Sequence, residues 1–351
     1  GRALFEKLAR HQAIYGFTTG VGAFLNQDIS FKDQARFQEE LLLSHAVGTG
    51  NYLPAEEVRG MMFLLINMLR KGHSGISLET LEALISLFNC NIIPAIPEQG
   101  SLGASGDLAP LAHMALVLLG KGKILSQDKI VEAKEVLPPN FPIKLKMGEG
   151  IALINGTHFM TSILALTVWR AEILCKTADI VSAMTFLALN GNPKAFDPEV
   201  QRLRPHLGQS LVAINLNILL DSTFWSSSSL QDAYSLRCIP QVHGPIREMV
   251  WQVKKVVIRE INSVTGNPSL VDGRIISSGN FHGQNLAISA DLLSIALTVL
   301  ANFSERRIDR LLNPNLSNLP PFLSRSPGLD SGLMVAQYTA SAPVSYTHLT
   351  L

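Results

Sequence analysis

The chain contains a triplet, Ala104-Ser105-Gly106, whose residue types allow the backbone to react with itself. Gly106 has no Cβ, so its nitrogen can approach the carbonyl carbon of Ala104, two residues earlier. Ring closure and loss of the Ser105 hydroxyl would leave an exocyclic methylidene group, which is a strong electrophile. The alternative interpretation is an ordinary Gly-rich turn before a helix. A phosphate cradle is disfavoured because the sequence lacks the GxxxxGK(S/T) pattern.

A helix is predicted to begin directly after this triplet, near Asp107. The residues that follow place apolar side chains on one helical face, and Pro110 suits the first turn, where a missing N–H has little effect. Asp107 suits the electropositive end of the helix, as a cap or as an aid to ring formation. The same helix end would favour negative charge developing on an adjacent electrophile.

Three further glycine-containing segments are candidate binding loops, because loops between rigid helices commonly carry functional groups: 15–22, 155–157 and 278–283. Helices are predicted where long windows without Gly or Pro show apolar residues at i, i+3 and i+4: 157–190, 246–265 and 284–313. The fold is therefore predicted to be mainly α. A long-helix bundle core would follow a loop-rich N-terminal region that carries the Ala-Ser-Gly triplet.

The charge composition of the 351-residue chain argues against some classes of function. Its 29 basic and 28 acidic side chains give a formal net charge of +1, without a basic run, so no nucleic-acid partner is expected. Only 16 % of the residues are charged, against roughly a quarter in a typical soluble domain. A surface with so few charges suggests contact with another subunit. The alternative is an ordinary large core beneath a surface rich in Ser, Thr and Asn.

No membrane segment, metal site or disulfide framework is expected. The most apolar stretch, 292–301, is shorter than the roughly 20 residues that a span requires, and no signal peptide opens the chain. No cluster of His, Cys, Asp or Glu has metal-ligand spacing. Three widely spaced cysteines, Cys90, Cys175 and Cys238, make a reducing cytoplasm the default location.

Five blocks besides the triplet complete an ordered pattern: YGFTTGVG (15–22), LINGT (153–157), QDAYSLRC (231–238), GNFHG (279–283) and SERR (304–307). Together with Ala104-Ser105-Gly106 they resemble the aromatic amino-acid ammonia-lyases and aminomutases. That family carries a 4-methylidene-imidazol-5-one group (MIO) made from Ala-Ser-Gly. The resemblance therefore implies a MIO group formed from this triplet, with no external cofactor.

Within the family, Ser44-His45-Ala46 resembles the histidine-specific members, in which an imidazole lies beside the aromatic end of the substrate. The segments 234–242 and 203–206 are also similar to those members. The resemblance implies elimination of ammonia from L-histidine to give trans-urocanate, a step of histidine catabolism. Other interpretations stay open: a tyrosine or phenylalanine ammonia-lyase, an aminomutase, or an inactive helical oligomerisation protein. His45 could also be a structural histidine, and tyrosine-specific members place a His near this point too.

The resemblance assigns catalytic roles to the triplet and to two tyrosines. The electrophile built from Ala104, Ser105 and Gly106 would draw electron density from the substrate, through its amine or its ring. Tyr15 and Tyr234 match the two family tyrosines, and Tyr15 is the favoured base because its Gly-flanked loop can close over the site. A phenol has an ordinary pKa of about 10, so a tyrosine base needs surroundings that stabilise its phenolate.

Substrate binding is assigned to five residues by the same resemblance. Arg237 would bind the substrate carboxylate, because a guanidinium matches a carboxylate in bidentate geometry. Asn155 would contact the amino-acid end of the substrate or the MIO oxygen, and Gln231 would lie in the same polar shell. Phe281 would shield the electrophile from water, and His45 would face the aromatic ring.

The family's architecture adds expectations about assembly. It implies a homotetramer whose helical bundles pack together and whose active sites draw on several subunits. Residues 1–150 are expected to form the MIO-containing region, and residues 151–351 the central helical bundle of one intimately packed lyase domain. The chain is expected to be truncated at both ends, since it begins without an initiator Met and residues 346–351 depart from the family pattern.

Overall fold

Helices dominate the fold, which confirms the prediction of a mainly α protein. The structure is a computed structural model that describes the backbone of residues 343–349 and, in full, residues 1–126, 129–138, 141–221, 227 and 229–342. In chain order the helices are α1 (Arg2–Leu8), α2 (Gln34–His45), α3 (Ala55–Leu69), α4 (Leu78–Asn89), α5 (Leu108–Leu118), α6 (Ala133–Val136), α7 (Glu149–Ile154), α8 (His158–Ala188), α9 (Pro198–Arg202), α10 (Leu207–Leu220), α11 (Tyr234–Arg237), α12 (Ile239–Ile261), α13 (Gln284–Leu312), α14 (Pro314–Ser317) and α15 (Met334–Leu349).

The strands in the described residues are short: β1 (Thr49–Tyr52), β2 (Ile93–Pro94), β3 (Pro97–Gln99), β4 (Lys123–Ser126), β5 (Lys129–Glu132), β6 (Ser269–Val271) and β7 (Arg274–Ile276). All pairings are antiparallel, in the orders β1-β3, β2-β4-β5 and β6-β7. In the first pair, Thr49 lies opposite Gln99 and Tyr52 opposite Pro97. This pair joins the chain that follows α2 to the chain that leads into the triplet.

The three predicted helical windows are helices α8, α12 and α13, but α12 begins earlier than predicted, at Ile239. Gly244 and Pro245 therefore lie inside this helix. Gly244 approaches α10 so closely that a Cβ on it would lie 2.4 Å from the nitrogen of Gln209. Tertiary packing thus outweighs the intrinsic preference against Gly and Pro in a helix interior.

Residues 1–166 and 256–288 form one compact unit. Its core contains α5, which is apolar apart from His113 and almost entirely buried, as expected for an interior helix. The same core includes buried residues of α2, α3, α4 and α7, among them Leu42, Met62, Leu84 and Leu153. The predicted start of α5 beside Asp107 is confirmed, so the triplet is attached directly to a buried helix.

Residues 167–255 and 289–351 form a second compact unit. Its described core is built on Phe186 and Phe196, whose ring centroids lie 4.8 Å apart, and on Val212 and Leu216 of α10. Neither unit is continuous in sequence. The predicted domain division at residue 150 stays a prediction.

Two helical stretches are long and apolar enough to cross a membrane by length and composition alone, Glu149–Ala188 and Gln284–Leu312. The expectation that the chain has no membrane segment considered only the most apolar part, 292–301, and it stays a prediction, because length and composition alone do not distinguish a membrane span from a core helix. In the first stretch, 72 % of the most apolar window is buried within the protein, as in the core helix of a globular protein. In the second stretch, 28 % of that window is buried.

Candidate active site

A cavity of about 770 Å³ in the first unit brings together side chains from separate segments of the chain. Its lining includes five predicted site residues, Tyr15, His45, Ser105, Asn155 and Phe281. The volume suits a small-molecule ligand, and such pockets combine an apolar wall with a few polar groups. The apolar wall here includes Val21, Phe24, Ile29, Phe37, Leu41, Leu108 and Ile151.

Backbone contacts hold the triplet at both ends. Before it, the Gly103 carbonyl accepts a hydrogen bond from the Gly283 N–H at 2.8 Å, and after it the Asp107 N–H donates to the Gly156 carbonyl at 2.8 Å. Gly106 has a φ of +85°, and a Cβ on it would lie 3.1 Å from the Gly156 nitrogen. Glycine alone tolerates this conformation together with so close an approach. The two residues before Gly106 are left exposed.

Asp107 is fully buried at the N-cap position of α5, but its side chain caps a different helix. Oδ1 accepts from the Ser101 hydroxyl at 2.7 Å, and Oδ2 accepts from the Met160 N–H, in the first turn of α8, at 3.1 Å. The interpretation of Asp107 as a side-chain cap of α5 is corrected accordingly, since the first turn of α8 supplies the unsatisfied donor. Burial raises the pKa of Asp107 to about 6, and these hydrogen bonds oppose the shift.

Asn155 directs its amide at the triplet. The side chain is 6 % exposed, and its Nδ2 donates to the Ser105 carbonyl oxygen at 3.4 Å. Its Oδ1 has no hydrogen-bond partner among the residues that the structure describes. A buried amide oxygen without a donor is costly. An amine group on a ligand in the cavity could supply that donor.

Tyr15 lines the cavity from the 15–22 loop. Its hydroxyl oxygen accepts a hydrogen bond from the Gly22 N–H at 2.9 Å, which fixes the position of the hydroxyl. Phe17 fixes the base of the loop, since its fully buried ring stacks on Phe5 with centroids 4.7 Å apart. Tyr15 is therefore held on an anchored loop with a donor already in place.

His45 is the last residue of α2, and its ring has a defined tautomer. Nδ1 lies 2.7 Å from the carbonyl oxygen of Leu41, one helical turn earlier. A carbonyl oxygen only accepts, so Nδ1 carries the proton and the neutral ring keeps Nε2 as an acceptor. The Ser44 hydroxyl donates to the same carbonyl at 3.1 Å. Neutral His45 can thus accept a hydrogen bond from a ligand N–H.

Ala104 and Gly106 flank Ser105 in the triplet without lining the cavity themselves. The three remaining predicted site residues, Gln231, Tyr234 and Arg237, belong to the second unit and are not among the described residues that line the cavity. Tyr234 and Arg237 are the two ends of the one-turn helix α11. The Arg237 guanidinium carbon lies 4.6 Å from the centre of the Tyr234 ring, and its Nε donates to the Asp232 carbonyl at 3.0 Å. Their catalytic and binding roles stay predictions.

Sequence reasoning missed three polar cavity residues, Gln27, Glu40 and Asn267. Glu40 precedes Ser44 by one helical turn, so the helical spacing of α2 could have predicted that both side chains face the same cavity. Asn267 Oδ1 accepts from the Ser278 N–H at 2.7 Å, which ties the turn before β6 to the segment after β7. Within the described ranges, no group of three or more His, Cys, Asp or Glu side chains could hold a metal ion.

A family model for aromatic amino acid lyases matches residues 1–349. The histidine ammonia-lyase of Alkaliphilus oremlandii (strain OhILAs) is 49 % identical over 342 residues, which are 95 % of this chain and 68 % of that protein. The histidine ammonia-lyase of Caldanaerobacter subterraneus subsp. tengcongensis is 47 % identical over 342 residues, again 95 % of this chain and 67 % of that protein.

Solved structures share the fold. The crystal structure of histidine ammonia-lyase from Trypanosoma cruzi matches with a TM-score of 0.88 and 40 % identity, over 99 % of this chain and 66 % of that chain. Tyrosine aminomutase from Streptomyces globisporus matches with a TM-score of 0.92 and 37 % identity, over 99 % of this chain and 71 % of that chain. This chain therefore spans about two thirds of the length of the relatives that it matches.

Proposed function

Since this chain belongs to the aromatic amino acid lyase family, we propose that it is a carbon–nitrogen lyase that eliminates ammonia from L-histidine to give trans-urocanate. Two relatives at 49 % and 47 % identity are histidine ammonia-lyases. The observation that carries the proposal is that His45 lines the same cavity as Ser105 and that its Nδ1 is engaged by the Leu41 carbonyl, which leaves Nε2 for a ligand. The N–H of an imidazole substrate is a donor that fits this acceptor.

The triplet fits a MIO group. Gly106 has the conformation and the close backbone approach that a side chain would prevent, and Ser105 lines the cavity with an exposed side chain. Ala104, Ser105 and Gly106 would hold the group, with no external cofactor. Once formed, it supplies an electrophile that withdraws electron density from the substrate.

The cavity residues are proposed to divide the remaining work. Tyr15 removes the β-proton, and the Gly22 N–H holds its hydroxyl oxygen in position. Asn155 accepts a hydrogen bond from the substrate amine through Oδ1, which lacks a partner among the described residues. Phe281 lines the cavity wall and excludes water from the electrophile.

The second unit is proposed to complete the site of another copy of the chain in a homotetramer. Arg237 would bind the substrate carboxylate, Tyr234 would act as the second tyrosine, and Gln231 would lie in the polar shell around them. Support for a partner comes from exposed apolar residues at helical spacing in this unit: Ile173, Ile180 and Met184 of α8, Leu207, Ile214 and Ile218 of α10, and Leu292, Ile295 and Val299 of α13. Such rows commonly mark an interface. Cys90, Cys175 and Cys238 are free thiols, in keeping with a cytoplasmic location.

A second candidate function is a tyrosine or phenylalanine ammonia-lyase or aminomutase. The match to tyrosine aminomutase, with a TM-score of 0.92, and the apolar cavity wall favour it. An inactive helical oligomerisation protein is the third candidate. The convergence of Tyr15, Ser105 and Asn155 on one cavity argues against this third possibility, because a scaffold has no need of it.

The deciding experiment supplies L-histidine, L-tyrosine and L-phenylalanine separately and follows urocanate, coumarate and cinnamate by absorbance. Urocanate alone is the expected product. Coumarate or cinnamate in its place would reassign the substrate, and β-amino acids found by chromatography would indicate an aminomutase. The intact mass should lie two waters below the sequence mass. An unshifted mass together with no product would leave the inactive scaffold.

A further inference from the structure

His113 connects the helix behind the triplet to the segment that carries His45. It lies on α5, and its Nε2 accepts a hydrogen bond from the Gly48 N–H at 3.0 Å. Gly48 follows His45 by three residues, between the end of α2 and the start of β1. The bond thus spans two stretches of chain that are 65 residues apart.

Gly48 is packed where these two stretches meet. A Cβ on Gly48 would lie 3.1 Å from the Gln99 carbonyl oxygen, 3.1 Å from His113 Nε2 and 3.2 Å from the Pro97 side chain. A Cβ on Gly100, at the start of the triplet loop, would lie 3.1 Å from the Gly48 Cα. The antiparallel pair β1-β3 joins the residues that follow Gly48 to the residues that precede Gly100.

The hydrogen bond fixes the protonation of the His113 ring. A backbone N–H only donates, so Nε2 must be unprotonated and the ring proton must be on Nδ1. Partial burial lowers the pKa of His113, which keeps the ring in the neutral form that can accept. His113 is not among the residues that line the cavity, so it acts on a ligand only through the segment that it holds.

We propose that His113 is a positioning residue for substrate recognition. Ser44 and His45 line the cavity wall, and the triplet is attached to the start of α5. By accepting the hydrogen bond from the Gly48 N–H, His113 sets the distance between these two parts of the site. His45 and the electrophile are then held at a fixed separation. Loss of the hydrogen bond lets the segment that carries His45 move relative to α5. This inference rests on the proposed lyase activity, because it assigns the recognition of the substrate ring to His45.

Two substitutions separate the hydrogen bond from simple packing. His113→Leu fills the space but cannot accept from Gly48, whereas the side-chain oxygen of His113→Gln reaches about as far as Nε2 and can accept. The matched control is His11→Leu, since His11 is an exposed residue of the same unit. Intact mass and thermal melting of each variant establish that the triplet has cyclised and that the chain is folded.

For His113→Leu, KM for L-histidine should rise about tenfold, in line with one lost hydrogen bond, while kcat stays within about threefold. His113→Gln should restore KM to within about threefold of wild type, and His11→Leu should not change it. Backbone amides of residues 46–50 should exchange with deuterium about tenfold faster in His113→Leu alone. If His113 had only a structural role, its replacement would lower the melting temperature without raising KM selectively over kcat.

An unchanged KM in His113→Leu, or a KM in His113→Gln as high as that in His113→Leu, overturns the inference. So does a fall in kcat with KM unchanged, because the effect would then lie at the electrophile. If the wild-type chain made no urocanate, the proposed function would fail, and amide exchange would still decide whether His113 holds this segment. Should His113→Leu not fold, His113→Asn serves in its place, since its shorter side chain falls short of the Gly48 N–H.

Discussion

The two compact units use their polar groups in opposite ways. In the first unit, candidate groups line a cavity and bond to the backbone: Tyr15 to the Gly22 N–H and His45 to the Leu41 carbonyl. In the second unit, buried Asp179 bonds to the side chains of His243 and Arg247, while Tyr234, the candidate tyrosine, is 69 % exposed. Backbone partners leave side-chain atoms such as the His45 Nε2 available to a ligand. Side-chain partners occupy both carboxylate oxygens of Asp179 in the second unit, which indicates a role for this residue in folding.

The buried cluster of the second unit is centred on Asp179, which is fully inaccessible to solvent. It accepts hydrogen bonds from His243 Nδ1 at 2.8 Å, from Asn215 Nδ2 at 2.9 Å and from the Arg247 guanidinium. Arg307 is 2 % exposed, and burial lowers its pKa to about 10 although Asp179 opposes the shift. The one carboxylate therefore accepts from three side-chain donors at once.

The largest effect is expected at the centre of the first unit. Ser105→Ala removes the hydroxyl whose loss creates the methylidene group, so ammonia release should fall by roughly 10³-fold or more. Its intact mass should show at most one lost water, against two in the wild type. Wild-type turnover in this variant would show that catalysis does not need the electrophile. The first unit would then not differ from the second in carrying reactive chemistry.

Tyr15→Phe should have the next largest effect on activity. Loss of a general base costs about 10²–10⁴-fold in kcat, and the phenyl ring preserves the packing, so KM should change little. The control is Tyr338→Phe, because Tyr338 is an exposed tyrosine of the second unit. If kcat stayed at the wild-type value, the base would have to be another residue, with Tyr234 the next to replace.

Asp179→Asn tests whether the buried cluster of the second unit serves folding rather than catalysis. Removing the charge leaves the half-buried guanidinium of Arg247 and the buried guanidinium of Arg307 uncompensated, so the free energy of unfolding should fall by about 3–5 kcal/mol. Urea unfolding measures this, with Glu172→Gln as control: its ion pair with Lys254 at 2.8 Å is partly exposed and contributes up to about 1 kcal/mol. Equal effects for the two variants would show that the cluster carries no special stability.

Asp107 is expected to give the smallest effect, visible as a pH dependence. Its folded pKa of about 6 lies above the ordinary 3.8, so its contribution to stability is full below pH 3.8 and is lost as pH rises through 6. Between pH 4 and pH 7, the free energy of unfolding of the wild type should fall by about 2–3 kcal/mol relative to Asp107→Asn. A difference that stays constant over this range would mean that Asp107 titrates as an ordinary surface carboxyl.

Much of the fold could be predicted because helical periodicity is local. The windows 157–190 and 284–313 contain α8 and α13 almost end to end. The start of α12 could not be predicted, because Gly244 is favoured there only by its close contact with α10. In the same way, Asp107 lies beside its own helix in sequence, yet its carboxylate bonds to the first turn of α8.

The sequence by itself determined the reactive triplet, the family and the identity of the candidate site residues, since all depend on residue type and short spacing. Only the tertiary structure decided that Tyr15, His45, Ser105, Asn155 and Phe281 share one cavity. It also decided which atoms keep free hydrogen-bonding capacity and which, like those of Asp179, are consumed by packing. The physical reason is that a side chain's partners come from segments that the fold brings close, and no local pattern records that proximity.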